Sequence, residues 1–280
     1  MSLSVAELGP SHLDALKALL TRDAPHNLYL LGIVEEFGIV PGPGRRPFTF
    51  YGRFRDDTLC AALFVGGDGG LVIPSANDGQ EAIAIAETLV GKVSLRAAMG
   101  EASTVDGIVR LLAPGKARTT LGQRLFKVSA DDLGPFTNPT LRLAVENDLP
   151  QLIPLAAACV KETLGRDPLA EDPEGYTARV LQRVRGRRTY VLELDGRLVF
   201  KIDVGSRSQY GAELEALYTL PAERRRGHAT LSLGQICRHL LSSLPRLTLR
   251  VDESNESLAR VVRKVGFMAG RPQRLVVVDG

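Results

Sequence analysis

Apolar side chains recur along this chain at two spacings, and the alternation between them sets out its architecture. Runs that alternate apolar with polar residues, the period of a half-buried strand, fall near 3–8, 47–54, 58–65, 71–73, 93–98 and 119–128. Between them, apolar residues three and four apart predict helices over 11–21, 25–37, 78–90 and 101–112. Asp56-Asp57 marks a turn between two of the strands. The run Gly66-Gly67-Asp68-Gly69-Gly70 sits between short β segments and lacks the G-K-[ST] that completes a phosphate loop, so it reads as a hairpin connection.

The periodicity lapses over 129–139, where Asp131, Asp132, Gly134, Pro135, Asn138 and Pro139 are turn formers. The same order of elements then begins again. It runs as strand 140–146, helices 148–164 and 173–186, strands 188–194, 197–205 and 211–219, helix 226–242, strand 246–251, helix 255–264 and β segments to 278. Asp195-Gly196 predicts a two-residue hairpin, and Ala229, Leu233, Ile236 and Leu240 form one helical stripe facing a sheet. The chain is therefore expected to hold two domains, 1–130 and 137–280, each a central mixed β-sheet flanked by helices in the α/β (mixed α+β) class. Their likeness is one of architecture, since the first copy carries no matching residue motif.

A length of 280 residues suits two domains, and 44% hydrophobic with 24% charged residues is an ordinary globular composition. A formal net charge of +3 argues against wholesale attraction to nucleic acid or a membrane surface. Cys60, Cys159 and Cys237 lie far apart, and His12, His26, His228 and His239 supply no paired ligand spacing with them, so no metal site is expected. With no signal-like start and no apolar run long enough for a bilayer, the expected location is the cytoplasm. No nucleophile turn of the G-x-S-x-G kind is present, which disfavours hydrolase chemistry.

One segment carries chemistry: Leu217-Tyr218-Thr219-Leu220-Pro221-Ala222-Glu223-Arg224-Arg225-Arg226-Gly227-His228-Ala229-Thr230. A strand runs through a tight turn into a helix, leaving the first helical N–H groups unpaired at the positive end of the helix dipole. That is a site for a pyrophosphate. Gly227 and Ala229 keep the wall low, and Arg224, Arg225 and Arg226 add positive charge. Arg226 stands where a dinucleotide fingerprint would have its first glycine, so a different phosphate ligand is called for.

Arg224 to Ala229 match the R/Q-x-x-G-x-G/A signature of the GNAT acetyltransferases, and Asn255, Ala259 and Gly266-Phe267 resemble that superfamily's N-x-x-x-A…G-F segment. The resemblance covers 140 to about 278 and implies a tandem GNAT protein with a degenerate first copy. It implies acetyl-CoA as co-substrate, with the pantetheine arm along Leu217, Tyr218 and Thr219 and the pyrophosphate on the backbone from about Arg225 to Thr230. His228 and Asn255 complete the expected binding set. The implied reaction is direct attack by a small-molecule or peptide amine on the thioester. The base is expected in Glu213 or Glu215, two residues apart on one strand, and Glu213 falls where some family members place theirs.

The resemblance implies a tyrosine whose hydroxyl protonates the leaving thiolate where this chain has Val262, which joins Leu258, Val261 and Val265 in an apolar stripe. Tyr218 and Tyr210 are candidate substitutes. The absent tyrosine also admits a second function, an acyl-CoA-binding scaffold without turnover. Transfer from an aminoacyl-tRNA would call for a wide basic groove that the charge balance does not suggest. In the first half, the equivalent stretch Pro74-Ser75-Ala76-Asn77-Asp78-Gly79-Gln80 has no arginine, and Asp78 places negative charge where a phosphate would sit, so no CoA site is expected there. The acceptor's identity and the oligomeric state are not fixed by the sequence.

Overall fold

The structure, a computed structural model, describes residues 2–44, 47–67 and 70–278 and separates into two compact units. In the first, β1 (Leu3–Glu7), α1 (Leu13–Thr21), α2 (Ala24–Phe37), β2 (Phe48–Arg55), β3 (Thr58–Gly66), β4 (Leu71–Ala76), α3 (Gly79–Glu87), β5 (Ala97–Glu101) and α4 (Ala102–Leu112) follow in order, and β6 (Arg118–Val128) leads out. β1 to β4 pair antiparallel in sequence, and β4 pairs with β5 in parallel. Asp56 and Asp57 take φ of 43° and 64°, the left-handed pair that a tight hairpin between Arg55 and Thr58 requires. The β3–β4 connection is likewise a hairpin, closed by the Gly66–Leu71 pair; Asp68 and Gly69 of the glycine-rich run lie outside the described residues. Ala82, Ile85 and Ala86 of α3 and Val105, Ile108 and Val109 of α4 bury their apolar stripes against Leu63, Val72 and Ala98 of the strands.

β5 starts at Ala97, four residues later than the alternation near 93 predicts. The N–H groups of Thr88, Leu89, Lys92 and Val93 fold back onto carbonyls of Ile85, Ala86 and Leu89, so the turn after α3 uses up the residues before the strand.

The second unit contains β7 (Arg142–Leu143), α5 (Leu149–Leu164), α6 (Pro168–Glu171), α7 (Pro173–Arg185), β8 (Thr189–Leu194), β9 (Arg197–Ser208), β10 (Gly211–Thr219), α8 (His228–Leu241), the start of β11 (Leu247–Asp252) as far as Leu249, and α9 (Glu256–Val265). β7 keeps only two residues of the expected 140–146 strand, because the Asp148 carboxylate takes the Arg142 fork at 2.7 and 2.9 Å and the Val145 N–H at 2.8 Å, curling the chain into the α5 turn. β8 and β9 meet through Asp195 and Gly196, with φ of 49° and 75°, in the hairpin the sequence predicts. Sheet order is β7-β8-β9-β10-β11, with only β10–β11 parallel. Leu152, Leu155 and Ala156 of α5 and Val180 and Val184 of α7 pack on Val191, Leu198 and Tyr218 of the strands. Leu233, Ile236 and Leu240 of α8 are buried as the stripe predicts.

The chain's last strand departs from the expected division at 137–280. β12 (Met268–Val278) pairs antiparallel with β5 from Gln273–Glu101 to Val277–Ala97, and Gly270–Gly280 and Arg250–Asn255 belong to the first unit. Val276 and Val278 complete that unit's core, and the Arg274 fork grips Asp106 with two 3.0 Å hydrogen bonds. β5 has an edge to fill, and the C-terminal alternation of apolar residues fills it. Among the described residues no helix is long and apolar enough to cross a membrane.

Candidate active site

The site is built where β10 parts from β11. The two strands pair only at Ala212–Leu247, Glu213–Thr248 and Leu214–Leu249. Between Glu215, opposite Asp203, and Tyr218, opposite Lys201, β10 takes three steps to the two of β9, which makes a β-bulge. Ala216 at its apex has φ 50°, and the buried Lys201 ammonium holds its carbonyl at 3.2 Å while pairing with Asp203 at 2.8 Å. Beyond Leu214, β10 makes no further ladder pair with β11 among the described residues, which leaves that edge of its extended backbone without a strand partner.

At its end β10 passes through a turn at Pro221–Glu223 into α8. Gly227 is the N-cap, with φ 88° and ψ −10°, no side-chain cap and no acidic residue in the first helical turn. A Cβ added there would meet nothing nearer than Leu231 at 4.0 Å. Left-handed backbone, not crowding, is thus what calls for glycine, and the space before the helix is open. Among the described residues no side chain caps the first N–H groups of α8.

The three arginines before Gly227 divide. Arg224 is committed: it reaches Glu162 of α5 at 2.6 Å and the Thr219 carbonyl at 3.0 Å, and lies 5.3 Å from the centre of the Tyr218 ring. It fastens the end of β10 to α5, so its fixed charge is already matched by a carboxylate, unlike the free phosphate cation the sequence suggests. Arg226 pairs with Glu223 at 2.9 Å, and the same carboxylate lies 3.8 Å from His228 Nε2. Arg225, exposed and left-handed at φ 62°, makes no ion pair among the described residues. Ala229 and Thr230 follow in the first turn of α8, partly buried.

Glu213 and Glu215 differ in setting. Glu213 is 4% exposed, opposite Ser206 on β9 and Thr248 on β11, next to the point where the ladder ends. Glu215 is engaged by Arg183 of α7, and its carboxylate covers Gly205, where any Cβ would fall 2.6 Å from it. Arg183 also reaches Asp203 at 3.2 Å, and Thr189 Oγ1 donates to Asp203 at 2.8 Å. Sequence reasoning missed this Lys201–Asp203–Arg183 network. Its signal was present as two charged residues inside the 199–204 stretch of β9, which otherwise reads Val199, Phe200, Ile202 and Val204.

Val262 is fully buried, as its apolar stripe predicts, and no tyrosine takes its position. Tyr218 is itself buried, and burial, with the Glu162 charge added, pushes its pKa up. Leu217 is partly buried beside the bulge, and Thr219 is buried at the strand end. Asn255 is exposed and closes the segment Arg250–Asn255, which belongs to the first unit.

Residues 157–267, which contain the bulged strand, the turn and α9, match the acetyltransferase (GNAT) family. The match assigns a GNAT acetyltransferase domain to that stretch, 111 of the 280 residues. No curated protein matches the sequence. Solved structures similar to it in fold include a GNAT-family acetyltransferase from Colwellia psychrerythraea (14% identity, 98% of each chain, TM-score 0.56) and a Drosophila protein (15%, 98% of each chain, TM-score 0.71). A tandem GNAT protein from the clavulanic acid biosynthesis pathway aligns over 100% of this chain and 99% of its own at 13% identity, TM-score 0.56. At such identities the likeness is one of fold: the whole chain has the fold of a tandem GNAT protein.

Proposed function

We propose that the second domain transfers an acetyl or other short acyl group from acyl-CoA to an amine by direct attack. The observation that carries this reading is the continuity of an open strand edge with an uncapped helix start, from Leu217 through Gly227 to Thr230. The pantetheine amides would add to the open edge of β10 at Leu217, Tyr218 and Thr219 as an extra strand does. The pyrophosphate would sit on N–H groups from Arg225 to Thr230, with Arg225 supplying uncommitted charge.

In the reaction the amine nitrogen forms a bond to the thioester carbonyl carbon, the C–S bond breaks, and the amine's proton must leave. Glu213 is the better placed base. It stands beside the strand separation, whereas Glu215 is held in an ion pair with Arg183. The departing thiolate needs little help, since a free thiol has a pKa of about 8.5 and solvent can return the proton. The acceptor class is a small-molecule or peptide amine, and the first domain acts without a CoA of its own.

The test is acetyl-CoA titration followed by an amine panel read by mass spectrometry. An acetylated amine with stoichiometric release of CoA thiol is the expected outcome. Absence of acetyl-CoA binding at high micromolar concentration, unaltered by Gly227→Glu, would overturn the reading.

A further inference from the structure

The first unit has a crevice of its own, independent of the acyl-transfer reading. β4 and β5 pair only at Leu71–Ala97 and Val72–Ala98 and then part, with Pro74, which has no N–H to offer a ladder, just beyond. His26 from α2, Asp23 before it, Glu101 at the end of β5, and Arg271 and Gln273 of β12 line the opening, all within this unit.

The polar atoms there are unevenly used. Asp23 Oδ1 lies 2.9 Å from His26 Nδ1, and the other carboxylate oxygen takes the Arg271 guanidinium. A carboxylate only accepts, so Nδ1 carries the hydrogen and Nε2 of the neutral ring is an acceptor. Nε2 is buried and accepts nothing from the described residues. Glu101 is also asymmetric: Oε2 takes three donors from Ser103 and Thr104, and Oε1 takes one, at 3.2 Å. Burial alone would raise its pKa, but the Thr104 and Ser103 donors outweigh that and lower it, so the carboxylate stays charged. Arg271, with five N–H donors and a side chain 56% exposed, has donors beyond the one that Asp23 engages.

A buried acceptor with nothing to accept is costly, and its natural complement is a ligand N–H. A carboxylate acceptor and a guanidinium fork line the same opening, which suits a ligand carrying both charges. We propose that this crevice binds a small α-amino acid as its zwitterion, the ammonium on His26 Nε2 and Glu101 Oε1 and the carboxylate on the Arg271 fork. The space of about 50 Å³ suits a small ligand.

The probe is glycine, titrated into the full-length protein while the four histidine Cε1–H resonances are followed, with His26 assigned by its loss in His26→Gln. The expected result is a saturable shift of the His26 resonance alone. Affinity should fall at least about tenfold in Arg271→Gln and less in Arg271→Lys, which keeps the charge but not the fork. Acetate and methylamine, each carrying one charge, should bind at least about tenfold more weakly than glycine. Unchanged His12, His228 and His239 resonances in the variants would show that the fold is retained. No saturable shift with glycine, equal response to acetate, or wild-type affinity in Arg271→Gln would each overturn the assignment.

Discussion

The two domains make the same junction, a strand that parts from its parallel neighbour and runs into a helix, and they finish it in opposite ways. In the second, α8 starts at Gly227 with no side-chain cap and no acid in its first turn. In the first, the Asp78 carboxylate accepts the Gln80 N–H of α3 at 3.0 Å, Glu81 follows in the first turn, and Glu101 caps α4 in the same manner. One carboxylate at a helix start satisfies the orphan N–H groups and the dipole that an incoming phosphate would otherwise satisfy. A duplicated architecture can therefore confine a ligand site to one copy through a few cap residues, with no change of fold.

The largest effect is expected where the second junction is made to resemble the first at its ladder end. Next to the separation the second domain has Glu213, while the first has Leu71 beside Val72. Glu213→Gln should lower kcat by about 10²–10⁴ with little change in acyl-CoA affinity, the range for loss of a general base. Glu215→Gln should act mainly through the Arg183 pair, lowering thermal stability more than kcat. If Glu215→Gln were the variant that removed turnover, the roles assigned to the two carboxylates would be reversed.

Next in size is Gly227→Glu. A non-glycine residue in the left-handed region costs about 1–2 kcal/mol, and a carboxylate at the anion position opposes a phosphate by about 0.3–2 kcal/mol more. The first appears as a lower Tm, and the second corresponds to roughly 2- to 30-fold weaker CoA binding by calorimetry. One site per chain is expected in the wild type. Two equivalent sites would break the contrast between the domains.

These contrasts were partly legible in the sequence. The Asp56-Asp57 and Asp195-Gly196 turns, the α8 stripe and the Gly227 turn follow from local chemistry, and local chemistry is what a single sequence displays. The exchange of β12 was not legible, because an alternating strand states that it will pair and not with which edge. The Arg224 pair was not legible for a related reason: three consecutive arginines look alike until a distant partner, here Glu162, selects one of them. The buried Lys201–Asp203 pair was visible as charge inside an apolar strand, and its partner Ala216 depends on a bulge that only the folded register reveals.

Removing the cap of the first junction gives the third expectation. Asp78→Ala should destabilise the first domain by about 0.5–2 kcal/mol, the usual loss for an N-cap acceptor, seen as a lower Tm. It should not create CoA binding, because Glu81 remains in the first turn, held by Arg53 at 2.7 Å and by Arg55. A gained CoA site would mean that Asp78 alone separates the two copies. Smaller still is the effect of Arg225→Ala. An exposed cation near a bound phosphate contributes about 0.3–1 kcal/mol, so CoA binding should weaken only a few-fold, with a shallower salt dependence. Arg224→Ala should instead loosen the joint between α5 and β10, and a drop in Tm larger than that of Arg225→Ala would sharpen the division between them.

The smallest effect concerns Glu101 and pH. Its folded pKa is lowered relative to the unfolded carboxyl, for the donors of Thr104 and Ser103 exceed the opposing penalty of burial. A group shifted this way binds its proton more readily when unfolded, so its contribution to stability is complete above the unfolded value of about 4.3 and is lost as pH falls through the folded pKa. Glu101→Gln removes that titration while keeping one acceptor oxygen for the helix. Chemical unfolding of both proteins across the acid range should therefore show a gap at neutral pH that narrows below about pH 4. A gap that stays constant would mean that Glu101 supports α4 through hydrogen-bond geometry alone. The first junction would then be closed by shape, and the charge contrast with Gly227 would rest on Asp78 and Glu81.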